Sequence, residues 1–413
     1  MHEGSETSRM NILLPVIGTR GDTQLFLALA KALDEAGHES TVALSDRYVS
    51  LANSYAIRTA SLGGSHDEGV AEVREMMRAG NTLKAVQIGT DSFHKGVRRH
   101  TAALQKLCPA YDLIVGYGDF GRAEADKANK PFIKVVVDPT MAEKRLSGHV
   151  GQDIGLFVER MSLYLFIGRE HARFRKEIGS PPTEHSPAPL LVLLPMSEQL
   201  VKRGANWTSR NVMAGFWYLN TPAAYSPPEG LRSFLQRGEK PLFISFGSAG
   251  WSEVDDDALL KMLIDAVSAT GERAIIVTPN VARRHVMPDN IYLSDDVPHD
   301  WMFSQVSCVI HHCGLGTTAA VLKAGIPSIP VPYLIDQFAW ARRIHSLSVS
   351  ALPIPRKQLT SQSLAQAIAR TSADTELKAN AGELARRLRL EDGLARTVEA
   401  IECAVEGRSK TGG

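Results

Sequence analysis

Short apolar runs alternate along this chain with stretches whose apolar residues recur every three or four positions. Asn11–Ile17 is almost continuously apolar and reads as a buried strand. Gly18–Asp22 is a polar turn, Leu25–Ala36 has helical spacing and stops at Gly37, and Ser40–Leu44 is the next strand. A strand, turn, helix and strand in about 30 residues form a βαβ crossover, which predicts a parallel sheet. Leu113–Gly116, Phe132–Val137 and Leu190–Leu194 extend that sheet. Ile154–His171 is apolar and aromatic at helical spacing, as in a buried helix pair or the wall of an apolar pocket.

Thr221–Pro241 breaks the pattern with Pro222, Pro227, Pro228, Gly230 and Gly238, the composition of a linker. The pattern then restarts: strand Leu242–Phe246, turn Gly247–Gly250, helix Asp256–Thr270, strand Arg273–Val277. Further strands are predicted at Ile291–Leu293, Cys308–Ile310 and Ser328–Pro330. Two such units predict an α/β protein of two doubly wound domains facing a cleft. The boundaries read as 10–220, 221–395, and a C-terminal helix and tail at 396–413. The mixed-charge helical stretch Glu376–Glu406 is expected to pack across the domains. Ligands of such sheets bind beyond the carboxyl ends of the strands, where every turn named below lies.

The chain's 413 residues exceed what one compact core accommodates, which agrees with two domains. It is 44% apolar and 22% charged with a net charge of +1, which argues against a nucleic-acid partner but leaves room for a small anion. No apolar run is long enough to span a bilayer, so no membrane insertion is expected. Met1–Met10 is polar and lacks an apolar signal core. Cys108, Cys308, Cys313 and Cys403 are scattered, which suits a reducing compartment; a cytoplasmic monomer or homodimer is expected. The consecutive residues His311, His312 and Cys313 cannot converge on one zinc, and no partner pair stands at ligand spacing. No metal or other cofactor is predicted.

The richest chemistry lies in Ile310–Ala320. A buried strand runs into a tight turn and then a helix start. The unpaired N–H groups of a helix start, and its dipole, make an anion site. Thr317 and Thr318 add hydroxyls, and His312 adds a cation or a neutral donor. Four further turns follow strands or precede helices: Gly18–Asp22, Phe246–Gly250, Val297–Trp301 and Val331–Gln337. The first lacks the spacing of a dinucleotide fingerprint. Asp255–Asp257 resembles a metal cluster but sits where acidic residues offset a helix dipole. Asp119 follows a strand and reads as a solvated loop residue or a catalytic support.

In this order the motifs resemble those of UDP-sugar-dependent glycosyltransferases of the GT-B fold. The branch is that of sterol glucosyltransferases and glycopeptide and macrolide antibiotic glycosyltransferases. It carries G-T-R-G-D, V-P-H-D-W, H-H-G-G-x-G-T-T and P-F-x-x-D-Q, matched here by Gly18–Asp22, Val297–Trp301, His311–Thr318 and Pro332–Gln337. The resemblance covers most of the chain from Met10 and fades between about residues 60 and 220. It implies two Rossmann-like domains and inverting transfer of a hexose, foremost glucose from UDP-glucose, to a hydroxyl of a small lipophilic or natural-product acceptor. By that resemblance Asp22 is the general base, and His312, Gly314, Gly316, Thr317 and Thr318 hold the diphosphate. Ser248 approaches a phosphate, and Val297 and His299 flank the uridine. Asp336 and Gln337 bind the sugar hydroxyls, while Thr19, Arg20 and Gly21 close from across the cleft.

Asp22 can also be read as a mere helix cap, His312 as a turn-packing residue, and Asp336–Gln337 as surface polar residues. A UDP-sugar epimerase on the same fold, or a non-catalytic nucleotide-sugar or lipid binder, are the competing functions. Cys313 stands where the branch has Gly, Leu25 where it has Pro, and Ala320 where plant relatives bind ribose with Glu. Val137–Met141 replaces the acceptor-side T-M-P-W-T of sterol enzymes.

Overall fold

The computed structural model describes residues 9–64, 76, 82–137, 169, 171–204, 207–247, 250–251, 256–278 and 287–411. Among these residues the strands form two wholly parallel sheets. The first comprises β1 (Asn11–Pro15), β2 (Glu39–Leu44), β3 (Thr59–Ser61), β4 (Leu113–Tyr117), β5 (Phe132–Val135), β6 (Val192–Leu194) and β7 (Asn211–Met213). Their order is β3-β2-β1-β4-β5-β6-β7. The second comprises β8 (Leu242–Ser245), β9 (Ala274–Val277), β10 (Ile291–Ser294), β11 (Cys308–His311) and β12 (Ser328–Pro330), in the order β10-β9-β8-β11-β12.

The inner strands are buried on both faces, which is why they read as unbroken apolar runs. Ile12 and Leu14 of β1 pack with Val42, Leu44, Leu113 and Val115 on one face. Leu13 packs with Ala43, Ile114 and Phe132 on the other. In the second sheet Leu242, Ile244 and Ile310 share one face, and Phe243, Ile275 and Val309 the other. Both sheets reverse their winding once, at β1/β4 and at β8/β11. These reversals leave crevices beyond the strand ends.

The spacing missed β3 and β7, three-residue edge strands that are mostly only half-buried and so carry no apolar run. One helix starts earlier than its apolar spacing predicts: Arg20–Glu35 takes most of the first polar turn into its own first turn. Ile154–His171 falls almost wholly outside the described residues.

One apolar cluster belongs to both units. Leu194, Met196, Met213 and Phe216 meet Cys313, Leu322, Trp340 and Ile344 there. The helix Gly393–Thr411 returns to the first unit, where Val398 and Ile401 join the face holding Ile12 and Leu14. Trp217 Nε1 donates to Thr397 Oγ1 at 2.8 Å, anchoring that return. Gly393 lies so close to Gly215 that an added Cβ would stand 2.7 Å from the Gly215 backbone carbon.

Gly393→Ala is therefore expected to destabilise the protein by roughly 1–3 kcal/mol, the usual cost of forced overpacking. Gly382→Ala, in mid-helix with nothing within 4 Å of the new methyl, should stabilise it by up to about 1 kcal/mol. Urea unfolding of the two variants beside wild type distinguishes the signs.

Candidate functional site

At the first reversal, Thr19 caps the helix Arg20–Glu35 and Asp22 is its third residue. Asp22 Oδ2 accepts the Thr19 N–H at 2.7 Å and the Thr19 hydroxyl at 2.9 Å. This is a capping box with Asp in the place of Glu. Gly18, at φ +129°, presses against the same oxygen, and a Cβ there would stand 2.5 Å from it. The Tyr117 hydroxyl, at the end of β4, also bonds the carboxylate. Burial pushes the Asp22 carboxyl above its ordinary pKa, and the Thr19 and Tyr117 bonds pull it part of the way back. The cap engages Oδ2 and leaves Oδ1 outside the box, so capping does not use up the carboxylate.

At the second reversal, Ser245 and His311 are paired residues of β8 and β11, so the turns after them lie side by side. The His312 ring is held between those turns. A Cβ on Gly247 would meet its Cε1 at 2.8 Å, and one on Gly314 would meet its Nε2 at 2.6 Å. Gly247 is also left-handed at φ +68°. Tyr333, where the branch has Phe, lies 5.9 Å from the His312 ring and donates its hydroxyl to the Phe246 carbonyl at 2.9 Å. Cys313 has φ +64° and is fully buried in the cluster shared by the two units. The left-handed backbone accounts for glycine in the branch, and the packed thiol accounts for cysteine here.

Gly314 is the N-cap of the helix Leu315–Ala324. The N–H groups of Leu315, Gly316 and Thr317 have no partner inside the helix. That of Thr318 donates to Gly314 O at 2.9 Å. Thr318 is fully buried with its hydroxyl unpartnered among the described residues. The anion-binding capacity of this turn therefore rests on Leu315–Thr317 more than on the Thr318 amide.

Three histidines gather here in uncharged form. Burial drives His299 to about 4, His311 to about 3 and His312 to about 4. His299 stacks on Phe303 at 4.7 Å. His311 Nδ1 accepts the Cys313 N–H at 3.2 Å, which places its proton on Nε2, an atom without a partner among the described residues. At neutral pH His312 is uncharged rather than a cation, and its one N–H is engaged by the Ser245 backbone.

The remaining predicted residues divide. Val297 is buried in the core, so only its backbone can face a ligand. Gln337 is buried and its Oε1 braces the turn, accepting from Tyr333 N and Leu334 N at 3.0 Å each, which leaves only its amide nitrogen for a sugar. Asp336 is half-buried near Cys313. Gly21 is exposed on the first turn of the Asp22 helix. Ser248 and Asp255 lie outside the described residues, while Asp256 and Asp257 occupy a first helical turn. Asp119 is ion-paired to Lys134 at 2.6 Å and Arg122 at 3.3 Å. Burial would raise its carboxyl, but those cations hold it below the usual range, so it is a paired anion rather than a solvated one. Arg20 crosses the cleft to pair with Asp296. Asp300 and Tyr333 stand inside Val297–Trp301 and Val331–Gln337, but neither motif signals the partners at Thr221 and Phe246; Tyr117 and Asp296 carry no local signal of their contacts with Asp22 and Arg20.

Two sterol 3-beta-glucosyltransferases of Arabidopsis thaliana are 30% and 28% identical to this chain, each over 95% of it. The chain belongs to the sterol glucosyltransferase family. It spans 68% and 65% of those two relatives and 35% of a sterol 3-beta-glucosyltransferase of Komagataella phaffii, which is 25% identical over 97% of this chain. Residues 261–395 match the family described as Erythromycin biosynthesis protein CIII-like, C-terminal domain. Among solved structures, the Streptomyces sp. SF2575 glycosyltransferase SsfS6, complexed with thymidine diphosphate, superposes with TM-score 0.67 at 20% identity, covering 95% of this chain and 99% of that one. The spinosyn rhamnosyltransferase SpnG, also complexed with thymidine diphosphate, has TM-score 0.69 at 19% identity, covering 96% and 100%. These two establish the GT-B fold of the glycosyltransferase. No helix among its described residues is long and apolar enough to cross a membrane.

In this glycosyltransferase Cys313→Gly should change stability by less than about 1 kcal/mol, because relief of the left-handed backbone offsets the lost burial. Cys313→Val should cost about 1–3 kcal/mol, since a branched side chain suits that backbone poorly. Thermal and urea denaturation read both. A second outcome concerns acid. A histidine whose folded pKa is depressed to about 3 is protonated first in the unfolded chain, so its contribution is lost as pH falls from about 6.5. Wild type should therefore lose stability relative to His311→Asn between about pH 6.5 and 4, by at most about 1.4 kcal/mol per pH unit. A flat difference across that range would contradict the buried, neutral assignment.

Proposed function

We propose that this enzyme transfers a hexose from a nucleotide diphosphate sugar, UDP-glucose foremost, with inversion, to a hydroxyl of a small lipophilic or natural-product acceptor. The observation that carries the reading is the opposition of the two strand reversals. A half-buried, bonded carboxylate at Gly18–Asp22 stands on one side, and a helix start beside a clamped neutral histidine on the other. The sterol relatives and the antibiotic glycosyltransferases of like fold support the acceptor class.

Each chemical demand has a group suited to it. Negative charge builds on the leaving diphosphate, and the Leu315–Thr317 amides beside His312 offer preorganised donors, worth roughly 3–4 kcal/mol per key donor by analogy with oxyanion holes. No metal is required in this reading. Asp22 takes the acceptor proton, and its elevated pKa makes it a better base than a solvated carboxylate. Asp336 and the Gln337 amide nitrogen hold the sugar.

Asp22→Asn retains an oxygen to accept from Thr19, so the capping geometry and UDP binding should persist while kcat falls about 10²–10⁴-fold. A screen of UDP- and dTDP-sugars against sterols, macrolides, phenolics and nucleosides finds the reaction, and calorimetry follows UDP. Normal turnover of the variant removes Asp22 from the mechanism. Sugar epimerised in the absence of acceptor would favour the epimerase instead. In wild type the acid limb of kcat/KM should lie above the ordinary carboxylate value of about 4, because activity is lost as pH falls through the raised pKa of the base. His312→Ala should leave that limb in place.

A further inference from the structure

Arg20 is the first residue of the helix that carries Asp22, and its guanidinium pairs across the cleft with Asp296. Asp296 lies in the loop between β10 and the helix His299–Met302, directly before Val297 and His299 of the donor side. The same loop is fastened on its other flank. Asp300 accepts the Thr221 N–H at 2.8 Å and bonds the Thr221 hydroxyl, and the Trp301 ring meets Tyr225 edge-on at 5.5 Å. Residues 296–301 therefore connect the base-bearing helix to the segment through which the chain passes between its two units.

The pair is built to exchange. The Arg20 and Asp296 side chains remain 36% and 51% exposed, and ion pairs in that setting contribute little net stability. The guanidinium also lies near the donor side, where its charge helps to depress the His299 pKa. A diphosphate carries more charge than one carboxylate and offers several oxygens in the planar, bidentate geometry that arginine prefers. The pair also brings the two units together at the cleft mouth, so whichever anion holds Arg20 also bridges them.

We propose that Asp296 sets donor affinity by competing with the donor's diphosphate for Arg20. The carboxylate holds the guanidinium across the cleft, and an entering diphosphate takes its place, so that closure passes from an internal anion to the substrate. This rests on the nucleotide-diphosphate-sugar reading of the cleft. Asp296 contacts no reacting atom and is a positioning residue.

The test is calorimetric titration of UDP into the full chain as wild type, Asp296→Asn, Arg20→Ala and the double variant, with melting temperatures confirming that each is folded. Asp296→Asn should bind UDP about 2- to 5-fold tighter, the fold-change equivalent of one exchangeable surface pair. Arg20→Ala should bind more weakly, and adding Asp296→Asn to it should then change nothing. Asp296→Glu should return affinity to wild type, and Asp296→Ser serves as a second charge-removing variant. An equal gain in the Arg20→Ala background overturns the proposal, because it would mean that Asp296 repels the diphosphate directly. Unchanged or weaker UDP binding by Asp296→Asn overturns it as well, while leaving the donor reading intact. Failure of wild type to bind either UDP or dTDP overturns the donor reading and this inference together.

Discussion

The geometry of the cleft depends on one apolar cluster that belongs to neither sheet alone. Trp340, Cys313 and Leu322 from the second unit are packed with Met196, Met213 and Phe216 from the first. Burying side chains of this size contributes about 1.5–3 kcal/mol each. The half-exposed Arg20–Asp296 pair is of the kind worth about 0–1 kcal/mol. Packing therefore fixes where the units stand, and polar contacts across the cleft are left to respond to what enters it. Cys313 links the two levels. Its thiol is part of the shared core, while its left-handed backbone turns the chain from β11 into the helix start at Gly314. A change in packing at that residue is transmitted to His312 and Gly314 on either side.

Burial then sorts the titratable groups. It raises the Asp22 carboxyl and depresses the three histidines, so both effects favour the neutral forms. For the histidines the outcome is a set of uncharged donors and acceptors at neutral pH, which suits a site that must release a diphosphate as well as bind it. For Asp22 the bonds from Thr19 and Tyr117 restrain the same shift, which keeps the carboxylate available as a base.

Much of this was legible in the sequence because two-sided burial writes β1, β8 and β11 as unbroken apolar runs, and the turns after them carry compact motifs. The fold and the identity of the principal turns follow from those two signals. The rest depends on contacts between distant residues. Nothing near Tyr117 indicates that its hydroxyl reaches Asp22, and nothing near Asp296 or Asp300 indicates partners at Arg20 and Thr221. Gln337 and Asp22 belong to a different kind of difficulty. Asp22 reads as a base or a cap and Gln337 as a sugar contact or a surface polar residue, yet each caps a helix with one oxygen. What lies outside the caps is Oδ1 of Asp22 and the amide nitrogen of Gln337, a distinction made by individual atoms that residue type does not encode.

That double use bears on how a helix cap can also serve a reaction. A carboxylate tied only to a substrate would lose orientation whenever the substrate left. Asp22 instead has Oδ2 pinned by the Thr19 amide and hydroxyl, with Gly18 pressed against it, so the orientation is inherent in the fold. Those bonds lower basicity, and burial restores it. The two requirements, a fixed direction and a usable pKa, are met by opposing effects acting on one group. The glycine at position 18 is the condition for both, since any side chain there would occupy the place of the carboxylate oxygen itself.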